Sequence, residues 1–361
     1  MSMDAAALRG VLWREKLRGW LARILSMGLL IPLLGLAGLG WGVVGPYFTE
    51  GSYNYQDARV RRDLAGEFDV LISGSSQALR AIDPLALDRA MDCRSYNLGM
   101  VLQTMYGRYQ ILERELERNP VSLVVIELAY DTLGRTYEDN YGFEGSVRQL
   151  GRLDHPGQWL DYVARQVPPR DWVKLLDDTL DRAASTWALR RQNGPYVPFQ
   201  YETHGFIPGL KGVPMPDAGL YEADYHKESL PTNVEEENLY YLDRCLELCR
   251  ERVVEAVLIV TPLSEYMLWN CDGFDEILAT HRGVSEKWGV PLYDFNLKKD
   301  KLSRYSEETA YCDQHHLCEA GAQVFTGDLA DILLRARAGE DVSGEFYTTY
   351  DEAIHSRRIG G

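Results

Sequence analysis

A chain of 361 residues that is 45% hydrophobic and 25% charged suits one large globular domain or two ordinary ones, and excludes a disordered or collagen-like polymer. Its formal charge of −16, from 38 basic and 54 acidic residues, argues against a nucleic-acid binder, which needs cations to neutralise phosphates. The charge is unevenly spread: residues 1–23 carry Arg9, Arg14, Lys16, Arg18 and Arg23 against Asp4 and Glu15, a local +3, and the remainder stands at −19.

What separates basic head from acidic body is Ile24–Thr49, a run of 26 residues without a charge. As a helix it would span about 39 Å, against a hydrocarbon core of about 30 Å. It is too long for the apolar part of a cleavable signal, roughly 7–15 residues. Basic residues precede it and Glu50 follows, so the positive-inside rule predicts a single-pass protein of the cell membrane with residues 1–23 cytoplasmic and the main domain outside. Trp20, Trp41 and Tyr47 near its ends suit interfacial anchors. Gly38 and Gly42 are spaced to allow close approach of a second helix in lipid, although glycine is common in membrane spans in any case.

Beyond the span, strands and helices alternate. Phe68–Ser73 reads as a strand, followed by a helical stretch broken at Asp83-Pro84. Arg94–Leu98 is a second strand and Thr104–Arg118 an amphipathic helix. Ser122–Leu128 (SLVVIEL) is a near-continuous apolar run, as a strand buried on both faces should be. A helix at Glu235–Arg252 leads to the buried strand Val257–Thr261, a helix at Asp275–Trp288, a strand at Pro291–Phe295 and a last strong helix at Ala320–Arg335. This order predicts an α/β domain over 50–337 with a parallel sheet covered on both faces. Residues of about 135–232 interrupt it as an insertion: 150–192 look helical, with Trp159, Trp172 and Trp187, and 193–229 are rich in Pro, Gly and aromatics. Stretches of that kind are functional or disordered, and the aromatics favour an ordered lid or groove wall. The polar segment 338–361 is placed as a C-terminal tail.

Six cysteines (93, 245, 249, 271, 312, 318) lie in the part predicted to be outside, and their even number permits up to three disulfides. Cys245 and Cys249 share one helix, so each is expected to pair elsewhere than with the other. Neither a CxxC pair nor a zinc-like Cys/His spacing occurs, and no metal or cofactor is expected.

Open α/β sheets bind ligands at the carboxyl ends of their strands. After the first strand comes Gly74-Ser75-Ser76, opening a helix, where a hydroxyl meets the positive end of the helix dipole and backbone N–H groups able to hold an oxyanion. After the last strand comes Asp313-Gln314-His315-His316, in which an aspartate three residues before a histidine can fix its tautomer and support the imidazolium. Each signal alone is common, the first as a turn with a capping serine. Together, at opposite ends of one α/β domain, they supply the parts of an acyl-transfer triad.

The combination resembles the SGNH (GDSL-like) hydrolase superfamily over roughly residues 66–130 and 235–335. The resemblance implies a three-layer α/β/α, flavodoxin-like domain. It makes Ser76 the nucleophile of the first block, Gly99 the glycine of the second block in SYNLGM, and Asp313 and His316 the last block, with His315 out of register. The oxyanion hole would be formed by the N–H groups of Ser76 and Gly99. One departure stands out: where the third block normally supplies an asparagine, this chain reads Ile126-Glu127-Leu128-Ala129-Tyr130-Asp131. A carboxylate beside an oxyanion opposes catalysis, so neither Glu127 nor Asp131 substitutes simply, and one lost donor costs about 100–1,000-fold in rate.

The variant Gly-Ser-Ser is similar to the membrane-anchored branch that serves teichoic-acid D-alanylation and polysaccharide O-acetylation. That likeness implies a serine acyltransferase acting on a cell-envelope polysaccharide or polymer, partnered by a multispanning membrane O-acyltransferase (MBOAT-like). Two alternatives stay open: a simple carbohydrate esterase or deacetylase with the same triad, and a non-catalytic envelope-assembly subunit. The acidic body is read as solvated surface, or as a surface that recognises a cationic group such as an aminoacyl ester.

Overall fold

The computed structural model describes residues 53–138, 142–175, 177–178, 198–209, 211–215 and 228–360. The basic tail 1–23 and the apolar run 24–49 lie outside the described residues, as do residues 193–197, 210 and 216–227 of the aromatic stretch 193–229. Among the described residues no helix is long and apolar enough to cross a membrane.

Five strands form one sheet: β1 (Val70–Ser73), β2 (Ser95–Asn97), β3 (Leu123–Glu127), β4 (Glu255–Val260) and β5 (Leu292–Asp294). All neighbours pair in parallel in the order β2-β1-β3-β4-β5. The order reverses between β1 and β3, which makes the crevice above those strands the place where a ligand is expected. The helices that matter here are α1 (Tyr53–Asp63), α2 (Ser76–Ala81), α3 (Pro84–Met91), α4 (Met105–Arg118), α5 (Gly142–Leu150), α6 (Pro156–Gln166), α7 (Glu236–Glu251), α8 (Phe274–Trp288), α9 (Glu319–Arg337) and α10 (Tyr350–Gly360).

Strand side chains alternate between faces with a period of two, and both faces are apolar, as a doubly covered parallel sheet requires. Leu71, Val124, Ile126 and Leu258 pack with Leu112 of α4 and Leu242 and Leu246 of α7. Val70, Ile72, Val125, Val257 and Ile259 pack on the opposite face with Ala78 of α2, Leu87 of α3 and Phe325 and Leu329 of α9. The α/β architecture with helices on both faces is therefore as the alternation of elements predicts.

Local chemistry sets the helix starts. Thr104 caps α4 by accepting the Gly107 N–H at 3.0 Å, and Asp83 caps α3 by accepting the Leu85 N–H at 2.9 Å with Pro84 in the first turn. A left-handed Asp92 ends α3. Strand β4 begins two residues earlier than the apolar run suggests, at Glu255, because its first residues pair with Leu123 and Val124 of β3.

Three expectations need correction. The segment after Arg337 is not a loose tail: α10 docks on α8, with Tyr350 stacked on Phe274 at 4.9 Å and its N–H donated to Asp275 at 2.7 Å. Arg357 then reaches the buried Glu265 at 2.8 Å, shared with Lys301 at 2.5 Å. The sequence hid this helix because its inward face is made of Tyr350, Ala353 and Arg357 rather than of aliphatics. The cysteines form no disulfide; all six are free thiols. Cys245 and Cys249 sit among the leucines of α7 as small apolar core residues, and burial pushes the Cys249 thiol up to about 12. Finally, Asp313 and His316 do not follow a strand of the central sheet. They occupy a separate antiparallel hairpin, β6 (Tyr311–Asp313) and β7 (His316–Leu317).

Candidate active site

The first side chain of the site is placed by steric necessity. Chain leaving β1 must turn sharply into α2, and Gly74 makes the turn against its neighbours: a Cβ there would lie 2.3 Å from the Ala78 Cβ and 2.8 Å from Glu127 Oε2. Ser75 is the N-cap, its Oγ accepting the Gln77 N–H at 3.0 Å. The capping task thus falls to Ser75, and Ser76, the first residue of the helix, keeps its hydroxyl for other work. The Ser76 N–H, in the first turn, has no intrahelical acceptor.

The Ser76 hydroxyl meets the imidazole of His316, 2.8 Å from Oγ to Nε2. On the far side of the ring, Nδ1 lies 2.8 and 2.9 Å from the two oxygens of Asp313. An ionised carboxylate only accepts, so the Asp313 contact assigns the proton to Nδ1 and leaves Nε2 as acceptor for the serine proton. The structure thus brings together the three residues that the sequence places 240 positions apart.

Asp313 also accepts the backbone N–H groups of His315 and His316, both at 2.9 Å, which ties the carboxylate to the turn it sits on. Partial burial raises its pKa, but the hydrogen bond and charge of His316 outweigh that, and the carboxyl is held down at about 2. The Asp313 side chain is 48% exposed and that of His316 19%, so the triad opens to solvent on the hairpin side.

Loops after several sheet strands hold the hairpin in register with Ser76. The Ser264 hydroxyl, after β4, donates to the Gln314 carbonyl at 3.1 Å, and Tyr311 OH donates to the Leu263 carbonyl at 3.0 Å. From the loop after β3, Tyr130 OH lies 3.2 Å from His315 Nδ1 and its ring stacks on the His315 ring at 5.8 Å. His315 is thereby a neighbour that braces the turn, in agreement with its register in the sequence. At the hairpin base, α9 approaches so closely that a Cβ on Gly321 would lie 2.1 Å from the Ala310 carbonyl oxygen.

Gly99 has a different part from the one expected. Its N–H donates to Asn97 Oδ1 at 2.8 Å, so it is not a free oxyanion donor in this geometry. What position 99 supplies is proximity, since a Cβ would lie 2.6 Å from the Leu79 nitrogen of α2. The Asn97 amide then donates to the carbonyls of Ala78 and Ile82, both at 2.8 Å, stitching the end of β2 to α2, the helix that carries Ser76. From the far side, Arg152 donates to the carbonyls of Leu98 at 2.9 Å and Gly99 at 2.8 Å.

Glu127, which occupies the place of the asparagine expected after β3, does not face an oxyanion. It is fully buried, and its Oε2 accepts the Ser75 N–H at 2.6 Å. Arg108 lies 3.8 Å from the same oxygen. Burial pushes the Glu127 carboxyl above its ordinary range, against the opposing pull of Arg108 and the Ser75 N–H. Its role is to hold the turn that carries Ser75 and Ser76. Asp131 is committed elsewhere, to Arg135 Nε at 2.8 Å. The sequence signal for Glu127 is its position as the one charge inside SLVVIEL; nothing comparable marks Arg152, Asn97 or Ser264. Among the described residues no group of three His, Cys, Asp or Glu side chains is arranged to hold a metal ion.

Compared with known proteins, the chain matches no protein-family model and no curated protein. Function is therefore argued from the site.

Proposed function

We propose that this protein is a serine acyltransferase or esterase of the SGNH type, anchored through residues 24–49 and acting outside the membrane on a cell-envelope polysaccharide or polymer. The observation that carries the reading is the continuous hydrogen-bonded line from Ser76 through His316 to Asp313. Ser76 Oγ would attack an acyl carbonyl while His316 Nε2 takes its proton, and the Ser76 N–H faces the developing oxyanion. The imidazolium, held by Asp313, returns the proton to the leaving oxygen, giving an acyl-enzyme and a free alcohol or phosphate-bearing carrier. A second hydroxyl, from a sugar or from water, loses its proton to His316, attacks the acyl carbon and releases Ser76.

Transfer is favoured over fast hydrolysis by two features of the oxyanion side. The asparagine of the third block is replaced by a carboxylate turned to Ser75, and the Gly99 N–H is occupied by Asn97. A site with so few donors suits a slow reaction on a substrate delivered at high local concentration, which an anchor beside a multispanning membrane O-acyltransferase (MBOAT-like) would provide. The same features favour the second reading, an envelope-assembly subunit that keeps the fold as a binding module.

Fluorophosphonate labelling of the full chain decides between them. A single adduct on Ser76, absent from Ser76→Ala, is expected. No adduct on folded protein, under conditions that label a control esterase, removes both enzyme readings. Adding acceptor oligosaccharide to an acetyl ester assay then separates transfer from hydrolysis by the product formed.

A further inference from the structure

Between α4, α6 and α7, in the helical layer on the side of the sheet away from α2 and α9, lies a cavity of about 470 Å³. That is within the roughly 300–1,000 Å³ of small-ligand clefts, and none of its lining residues belongs to the triad.

Four tyrosines gather in it. Tyr106 and Tyr241 lie 4.6 Å apart between ring centroids, Tyr109 and Tyr241 5.8 Å, and Tyr240 meets Tyr241 edge-on at 5.0 Å. Tyr240 is 56% exposed, a large aromatic surface left to solvent beside a concave site. Between the rings stand planar polar groups of balanced charge, Glu113 and Asp161 against Arg165 and Arg244. Arg165 donates to Asp161 at 2.8 Å, Tyr109 OH donates to Glu113 at 2.7 Å, and the Arg244 guanidinium lies 5.7 Å from the Tyr109 ring centroid.

Gln110 adds an independent observation on the wall of the cavity. It lines the cavity and is 3% exposed. Its Nε2 donates to Tyr106 OH and to the Gln158 carbonyl, both at 3.1 Å, and the carbonyl contact requires a donor there, which fixes the orientation of the amide. The Oε1 atom is left buried without a partner. Buried acceptors in native folds are nearly always satisfied, and a ligand hydroxyl would satisfy this one.

The balance of charge selects the ligand class. An anionic ligand needs spare cations, whereas Arg165 is tied to Asp161 and Arg244 faces Tyr109 and Glu247. A pyranose has an apolar ring face that packs on an aromatic and a rim of hydroxyls that pair with carboxylate, guanidinium and amide. We propose that this cavity binds a neutral oligosaccharide, with a sugar face on Tyr240 and hydroxyls on Gln110 and its polar neighbours. The inference goes beyond the acyl-transfer reading and stands or falls separately from it.

The test applies the full chain in detergent to an array of neutral glucan and chitin oligosaccharides, with polygalacturonate and heparin fragments as anionic controls. Retention on at least one neutral oligosaccharide is expected, about tenfold or more weaker for Tyr240→Ala and close to wild type for Tyr240→Phe. No retention on any neutral probe, retention confined to the anionic ones, or retention indifferent to Tyr240→Ala each overturns the inference. Because Tyr240 is exposed, circular dichroism of the Tyr240→Ala chain is expected to match wild type, so weaker retention reports the lost ring. Sugar retention by a wild-type chain that takes no fluorophosphonate leaves the cavity standing and removes the triad chemistry. Labelling without retention does the reverse.

Discussion

Ser76 leaves the sheet inside a set of contacts that permit almost no alternative, with Gly74 pressed on Ala78 and Glu127, Asn97 stitched to α2, and a buried carboxylate on the Ser75 N–H. Asp313 and His316 ride a hairpin of two short strands, with Asp313 half exposed and the turn held from outside by Ser264 and Tyr130. One half of the triad is fixed by packing and buried charge; the other rides a hairpin whose strands are rooted in the core by Tyr311 and Leu317, but whose turn is held by a few hydrogen bonds. The contrast separates two kinds of failure. Damage on the sheet side should cost stability and reactivity together, whereas damage on the hairpin side should cost reactivity alone.

The largest effect is expected from the hairpin half. Asp313→Asn keeps the shape but removes the acceptor that sets the His316 tautomer, and fluorophosphonate labelling should slow by about 100–10,000-fold. The melting temperature should move little, because a half-exposed ion pair contributes little to stability. A loss of several degrees would erase the distinction between the halves. On the sheet side, Glu127→Ala leaves Arg108 buried without its partner, and a cost of about 3–5 kcal/mol in urea unfolding is expected. Labelling should fall with it. Glu127→Gln, which can still accept the Ser75 N–H, should retain more of both.

How far this contrast could be read from the sequence follows from its physics. The sheet half was legible because apolar runs, Gly74-Ser75-Ser76 and the strand–helix alternation are local patterns with a direct structural cause. The pairing of Ser76 with His316 was also legible, since a serine opening a helix after a strand and an Asp-x-x-His turn are short local patterns with a known acyl-transfer chemistry. What escaped was everything that depends on a partner far along the chain. Gly99 reads as an oxyanion donor until Asn97 is seen to hold its N–H. Arg152 carries no local pattern, yet it grips the carbonyls of Leu98 and Gly99 across 54 and 53 positions. The docking of α10 was hidden for the same reason, its anchor Arg357 being a surface residue by type and a core residue by its contact with Glu265.

Acid separates the stability of the domain from the charge of Asp313. His281 of α8 is buried and uncharged, its pKa pushed down to about 4 by desolvation from an ordinary 6.5. The unfolded chain takes up this proton first, so the contribution of His281 is fully present above about pH 6.5 and is lost as pH falls towards 4, up to about 3 kcal/mol. Urea midpoints measured between pH 7 and 4.5 should decline accordingly, and His281→Gln should flatten the slope. Asp313, held at about 2, stays ionised through the whole window.

The smallest expected effect probes the bracing of the hairpin. Tyr130→Phe keeps the ring stacked on His315 and deletes only the hydroxyl 3.2 Å from its Nδ1. A hydrogen bond of this kind contributes about 0.5–1.5 kcal/mol. If the hairpin is held in register mainly by such contacts, that energy appears as misplacement of His316, and labelling should slow by less than tenfold with an unchanged melting temperature. A second deletion against the same turn, Ser264→Ala, removes the hydroxyl's bond to the Gln314 carbonyl and leaves only that of the Ser264 N–H, at 3.3 Å. The double variant should lose more than the sum of the two single free-energy changes, because one remaining brace still holds the turn near its place and only the loss of both releases it. No effect in any of the three variants would mean that the turn is rigid by itself, and the hairpin half would then be as firmly built as the sheet half.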